Sequence, residues 1–193
     1  MAEGIAWILQ PYLIDSVTFA RGAEPAELAL RLGARPGEQP RGASSAEVMD
    51  LLAGGLESVV RVGRAGDWSF AIEYGDAFGP TSSGLSAVSA MGVEAVNFSL
   101  SPWHPPSMFT YSHDADCVCS FGIGEESRRW GKNPDLLVPA LTRTGVLPAQ
   151  PQLSDTDAER VRRLSVLAIE EHFRLRLPRA DVMEGQLSTF LVR

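Results

Sequence analysis

The chain has 193 residues, 45% of them hydrophobic and 21% charged, the balance of an ordinary globular protein with room for one substantial core. Its formal net charge of −7 argues against a protein that holds nucleic acid by neutralising phosphates, because that affinity needs clustered Lys and Arg. The two cysteines, spaced C-x-C, build no disulfide framework, which fits a reducing cytoplasm.

At the start, "MAEGIAWILQPYLIDSVTF" carries Glu3 where a signal peptide wants positive charge, and Gln10, Pro11 and Asp15 interrupt its apolar run before it could span a bilayer. Export and membrane insertion are therefore not expected. "YLIDSVTFA" reads as a strand ending at Gly22, and "PAELALRLG" as a short helix with Pro25 in its first turn and Gly33 beyond its end. "ARPGEQPRGASS" reads as an exposed loop, and "AEVMDLLAGG" as a second helix capped by Ser44 or Ser45.

Strand signals concentrate in the middle of the chain. In "ESVVRVGRAGDWSFAIEYG" two extended runs flank "GRAGD", and in the second run Trp68, Phe70, Ile72 and Tyr74 share one face while Ser69, Ala71 and Glu73 share the other. The aromatic face is the expected core; the other is expected to be less buried. "GLSAVSAMG" reads as a helix, and "VEAVNFSLSP" resumes the alternation with Val96, Phe98 and Leu100 on one side. "SMFTYSHDADCVCSF" is a further hairpin. Beyond it, Asn133 and Pro134 open a helix "DLLVPALTRTG", and the longest helix spans about 155–177, with Ala158, Val161, Leu164, Ala168, Ile169, His172, Phe173 and Leu175 in an arc of roughly 200°. "QLSTFLVR" either adds a short strand or docks.

The stretch "HDADCVCSF", from His113 to Phe121, concentrates residue types that bind metals. Structural zinc wants separated Cys or Cys/His pairs, and a redox dithiol wants C-x-x-C at a helix N-terminus, so this hairpin implies neither metal nor cofactor. Strand alternation puts Cys117, Cys119 and Phe121 on one side, where free cysteines act as small hydrophobes, and Asp114 and Asp116 are expected to form the turn by bonding nearby backbone N–H groups. "GPTSSGLS" from Gly79 to Ser86 resembles a phosphate loop but has Leu85 where the lysine must stand. "GLSAV" lacks the second glycine of a serine-hydrolase elbow, and His172 is read as a core histidine on its helix. No catalytic residue is assigned.

Glu73 is the most interesting single acid, since it lies on a strand among apolar residues. Trp103 in "SPWHPPS", with His104 beside it, and Trp130 in "SRRWGKN" sit in Pro- or Gly-rich connections, and Trp with Arg is common anchor chemistry at protein interfaces.

The succession "LIDSVTFARGAEPAELALRLGA", "GDWSFAIEYG", "EAVNFSLSP", "MFTYSHDADCVCSFG" and "NPDLLVPALTRTGVL" resembles an uncharacterised family of actinobacterial cytoplasmic proteins known as a domain of unknown function. The resemblance runs from about Tyr12 to Leu147 and loosely into the last helix, and it implies no catalytic residue. In that family an apolar and a small polar residue commonly stand where this chain has Cys117 and Cys119, which implies a packing role for them.

These readings give a single α+β domain over 1–193, with a core at about 12–147: a mostly antiparallel sheet of five or six strands, helices packed on one face, and a long C-terminal helix in the groove between them. The expected function is that of a non-enzymatic cytoplasmic interaction or regulatory protein, immunity-like, whose acidic surface meets a basic protein partner. The alternative is a small enzyme or ligand-binding domain with its pocket near Glu73, the Gly79–Gly84 loop and His104.

Overall fold

The alternating segments become strands of one eight-stranded antiparallel sheet in the computed structural model, which describes residues 4–10, 14–37, 39–56, 58–100, 105–148 and 155–192. In chain order the elements are β1 (Ser16–Arg21), α1 (Pro25–Arg31), β2 (Arg41–Ala43), α2 (Ser45–Ala53), β3 (Ser58–Ala65), β4 (Trp68–Gly75), α3 (Ser82–Ser89), β5 (Glu94–Ser99), β6 (Met108–His113), β7 (Asp116–Gly122), α4 (Val138–Arg143), α5 (Asp155–Phe173), α6 (Arg179–Met183) and β8 (Leu187–Leu191). Two 3-10 turns, Ala6–Leu9 and Glu126–Arg128, complete the list. The lateral order is β2-β8-β3-β4-β1-β5-β6-β7.

Local chemistry explains most of the boundaries. Pro25 starts α1 with φ already suited to a helix, and Gly33 leaves it at φ +94°. Ser44 caps α2 in a capping box: its hydroxyl accepts from Glu47 N at 3.3 Å, while the Glu47 carboxylate accepts from Ser44 N at 2.7 Å. The bonds that the carboxylate accepts from Ser44 N and from Ser44 Oγ, both 2.7 Å, joined by one from Gln186, hold the Glu47 carboxyl down at about 2. Thr81 caps α3 by accepting from Gly84 N at 2.9 Å. Asp114 and Ala115 both take positive φ, 50° and 65°, in the two-residue turn joining β6 to β7, a conformation that matches the twist of the strands it connects.

Several expectations need correction. The sheet has eight strands rather than five or six, because the Pro- and Gly-rich segment contributes β2 and the last segment contributes β8. β8 lies inside the sheet, paired with β2 on one side and β3 on the other. The helix expected from Asn133 begins only at Val138, and the long helix ends at Phe173, short of 177, with α6 following Pro178.

Helices also cover both faces, not one. On the front face Val17, Phe19, Trp68, Phe70, Ile72, Val96, Phe98, Phe109 and Phe121 form a core with Val166, Ala168, Ile169 and Phe173 of α5 and residues of α2, α4 and α6. The rings of Phe98, Phe109 and Phe121 follow one another at centroid separations of 5.8 and 4.8 Å, and Phe173 lies 4.8 Å from Tyr111. On the back face Ala20, Ala71 and Ala95 present small side chains to Leu28, Ala29 and Leu32 on and after α1 and to Leu85 and Val88 of α3. The alternation placed the front face correctly; the back face is buried as well, because small residues let two short helices approach it closely.

Candidate functional site

Strand register assembles the chemistry of the back face. Ser16 pairs with Glu73 between β1 and β4, and Thr18 pairs with Asn97 between β1 and β5, so four polar side chains meet beneath the loop that enters α3. Glu73 Oε1 accepts from Phe78 N and Gly79 N, both at 2.8 Å, while Oε2 accepts from Ser16 Oγ at 2.9 Å and Thr18 Oγ1 at 3.4 Å. Asn97 Nδ2 donates to Thr18 Oγ1 at 2.9 Å and to Ser16 Oγ at 3.2 Å. Glu73 is only 5% exposed, which corrects its placement on a less buried face. Burial pushes its carboxyl up from the usual range, and the bonds from Gly79, Ser16, Phe78 and Thr18 oppose that shift.

This arrangement has the outline of a hydroxyl and base pair, yet it is sealed. Ser16 and Thr18 have no exposed surface, and each Glu73 oxygen already accepts two bonds from the chain's own donors. A Cβ on Gly79 would overlap both the carboxylate and the Thr18 hydroxyl, so glycine is what lets this loop close over Glu73. The carboxylate works as a clamp that fixes residues 78 and 79 and so aims α3.

The remaining candidates lie apart from it. Trp103 and His104 fall outside the described residues. Trp130 exchanges backbone bonds of 2.9 Å with Ser120 on the outer side of β7, and Asn133 N donates to Val118 O at 2.8 Å, so residues 130–133 cover that sheet edge. Its indole is 50% exposed. Three ion pairs surround it in sequence: Arg129 with Asp135 at 2.6 Å, Lys132 with Asp116 at 2.5 Å, and Arg128 with Glu125 at 3.5 Å.

The cysteines do not share a face. The β6–β7 register slips at Val118, so Cys119 sits opposite Tyr111 and Cys117 opposite Ser112, and adjacent residues of β6 point to opposite sides. Cys119 is fully buried in the front core, donates to Pro134 O, and is pushed up to about 11 chiefly by burial; Cys117 is half-buried and also raised by burial. Asp114 accepts from Gly92 N rather than from its own turn, and Asp116 is taken by Lys132. His172 is exposed, its ring edge-on to Phe173 with centroids 4.6 Å apart, which corrects its reading as a core histidine. Among the described residues no group of three or more His, Cys, Asp or Glu side chains could hold a metal, and no helix is long and apolar enough to cross a membrane.

With this geometry in view, comparison with known proteins gives one match. A family model described as a family of unknown function (DUF6461) matches residues 13–174, most of the chain. The chain belongs to this family. No curated protein and no solved structure matches it.

In this DUF6461 member, sequence reasoning passed over two buried charges. Arg61 has no exposed surface, and its guanidinium donates to Ala43 O at 3.0 Å, Tyr74 Oη at 3.0 Å, Val182 O at 2.6 Å and Gly185 O at 2.9 Å. Every acceptor is neutral; Arg61 ties β2, β4 and the end of α6 to β3. Glu126 is 3% exposed and accepts from Gly124 N at 2.6 Å and from Ser165 Oγ. Neither was legible beforehand: the acceptors of Arg61 are neutral groups 13 to 124 residues away in sequence, and Glu126 stands in the run "GEESRRW" that reads as a solvated loop.

Proposed function

We propose that this protein is a non-enzymatic interaction or regulatory protein of the cytoplasm, immunity-like in its mode of action, which meets a basic protein partner through an acidic surface anchored at Trp130. The observation that carries the reading is a half-exposed indole on a segment pinned by backbone bonds to β7. A fixed aromatic presents contact area without a large ordering cost, and Trp is enriched among interface residues whose truncation matters most. The surrounding ion pairs are solvent-exposed, with Arg128 and Lys132 side chains 80% and 68% accessible. Such pairs contribute little, so Glu125 and Asp116 can exchange partners with incoming basic groups at small cost. The net charge of −7 favours encounter with a basic protein.

The alternative, a pocket at Glu73, the Gly79–Gly84 loop and His104, loses ground because Glu73 faces inward and is saturated by the chain's own donors. The test is affinity capture of the tagged protein from its native lysate at low and high salt, in parallel with Trp130→Ala. A stoichiometric basic partner that dissociates with salt, and is retained at least roughly tenfold less by the variant, is the expected result. Equal retention by Trp130→Ala, with both proteins folded, rejects the reading.

A further inference from the structure

Front-face packing leaves a cavity of about 130 Å³ where the Glu126–Arg128 turn, the end of α4 and the first half of α5 meet. Resting on the basic partner proposed above, we infer that this cavity receives one cationic side chain of that partner, an arginine or lysine, on the carboxylate of Glu126.

Both bonds that Glu126 accepts land on Oε1. Among the described residues no hydrogen bond reaches Oε2, Oε2 is not among the fully buried unpartnered atoms, and Glu126 lines the cavity. No ion pair to Glu126 is formed among the described residues. Glu126 is 97% covered as a residue and only its Oε1 is satisfied by the chain's own donors, so a guanidinium or ammonium group can add a charge-assisted bond at Oε2. The walls suit the same guest. Thr144 and Gly145 bring the C-terminal end of α4, whose carbonyls carry partial negative charge, while Val161 and Leu164 offer apolar surface to an aliphatic stem.

Size and competition narrow the occupant. Sites for whole small molecules usually run to roughly 300–1,000 Å³, so this space fits a charged head group rather than a metabolite. Arg160 is a cation that already lines the cavity with an exposed side chain, so it competes with an incoming cation for the carboxylate.

The test is an NMR titration of the full chain with the peptides Gly-Arg-Gly and Gly-citrulline-Gly, which differ in charge at nearly constant shape, and with free butylguanidine. Saturable shifts of the Gly124 and Gly145 amides with the arginine peptide, at least roughly tenfold weaker with citrulline and in Glu126→Gln, are expected, and Arg160→Ala should bind more tightly. Should Glu126→Gln fail to fold, Val161→Phe, which fills the cavity from α5, must abolish the shifts instead. Equal response to arginine and citrulline, or undiminished binding in both variants, overturns the inference. Butylguanidine binding at least roughly tenfold tighter than the peptide assigns the cavity to a free guanidinium compound and overturns the partner side chain as its source. Loss of peptide binding in Glu126→Gln while Trp130→Ala keeps its partner rejects the Trp130 reading alone; the converse rejects this inference alone.

Discussion

The two faces of the sheet reach the same burial by opposite means. The front is built from large rings, Phe19, Phe98, Phe109 and Phe121, beneath the long α5, and its stability comes from apolar area and ring packing. The back combines small and branched apolar side chains, Ala20, Ala71, Ala95, Val60 and Val62, with four hydrogen-bonded polar ones beneath two short helices, so its integrity also depends on satisfying donors around Glu73. A buried surface can hold polar groups among its apolar ones, provided each polar group has its partner.

The largest expected effect breaks the front. Phe109→Ala removes a ring that touches Phe98, Phe121 and Phe173, and should lower unfolding free energy by about 3–5 kcal/mol in urea titrations. Next comes the back: Glu73→Ala strands two backbone N–H groups and should cost about 2–4 kcal/mol, at roughly 1–3 for the buried Gly79 donor and about 1 for the part-buried Phe78 donor. Hydrogen exchange separates the two cases, since Glu73→Ala should release the Phe78 and Gly79 amides specifically whereas Phe109→Ala lowers protection throughout the sheet. The hairpin sharpens the contrast within a single strand: Cys119→Ser, which puts a hydroxyl into the front core, should cost about 1–3 kcal/mol, and Cys117→Ser no more than about 0.5.

The smallest effect is a pair of opposed pH slopes. The Glu73 carboxyl is raised in the folded state, so its contribution is complete below the ordinary value of 4.5 and is lost as pH rises through the raised value. The Glu47 carboxyl is lowered to about 2, so its contribution is complete above 4.5 and is lost as pH falls toward 2. Stability measured against pH, wild type minus Glu73→Gln, should therefore fall with rising pH over the window where wild type minus Glu47→Gln has already levelled off. Slopes of the same sign would remove Glu73 from the role described.

What could be read in the sequence follows the same division. Trp68, Phe70, Ile72 and Tyr74 announce the front because bulk alternates with small or polar residues, and Ser44 with Glu47 announces a helix start because both halves of the cap are local. The back face gave no such signal: Ala71 and Ala95 look the same in a solvated strand as in a covered one, and the donors to Glu73 come from a loop and a strand far from it in sequence. Cys117 and Cys119 were assigned to one face because alternation assumes an unbroken ladder, while the slip at Val118 depends on how β6 pairs with β7. Of the candidate residues, Trp130 is half-exposed, Glu73 is buried, and the cavity around Glu126 was invisible because Thr144, Glu126 and Leu164 share no motif.

The position of β8 between β2 and β3 has a consequence for how the chain is made. A ribosome delivers β2 and β3 long before β8, so a growing polypeptide carries an unzipped seam along β3 until Leu187–Leu191 emerges to fill it. Pairing so remote in sequence closes slowly, and until it does the exposed flank of β3 is a template on which another copy can add a strand.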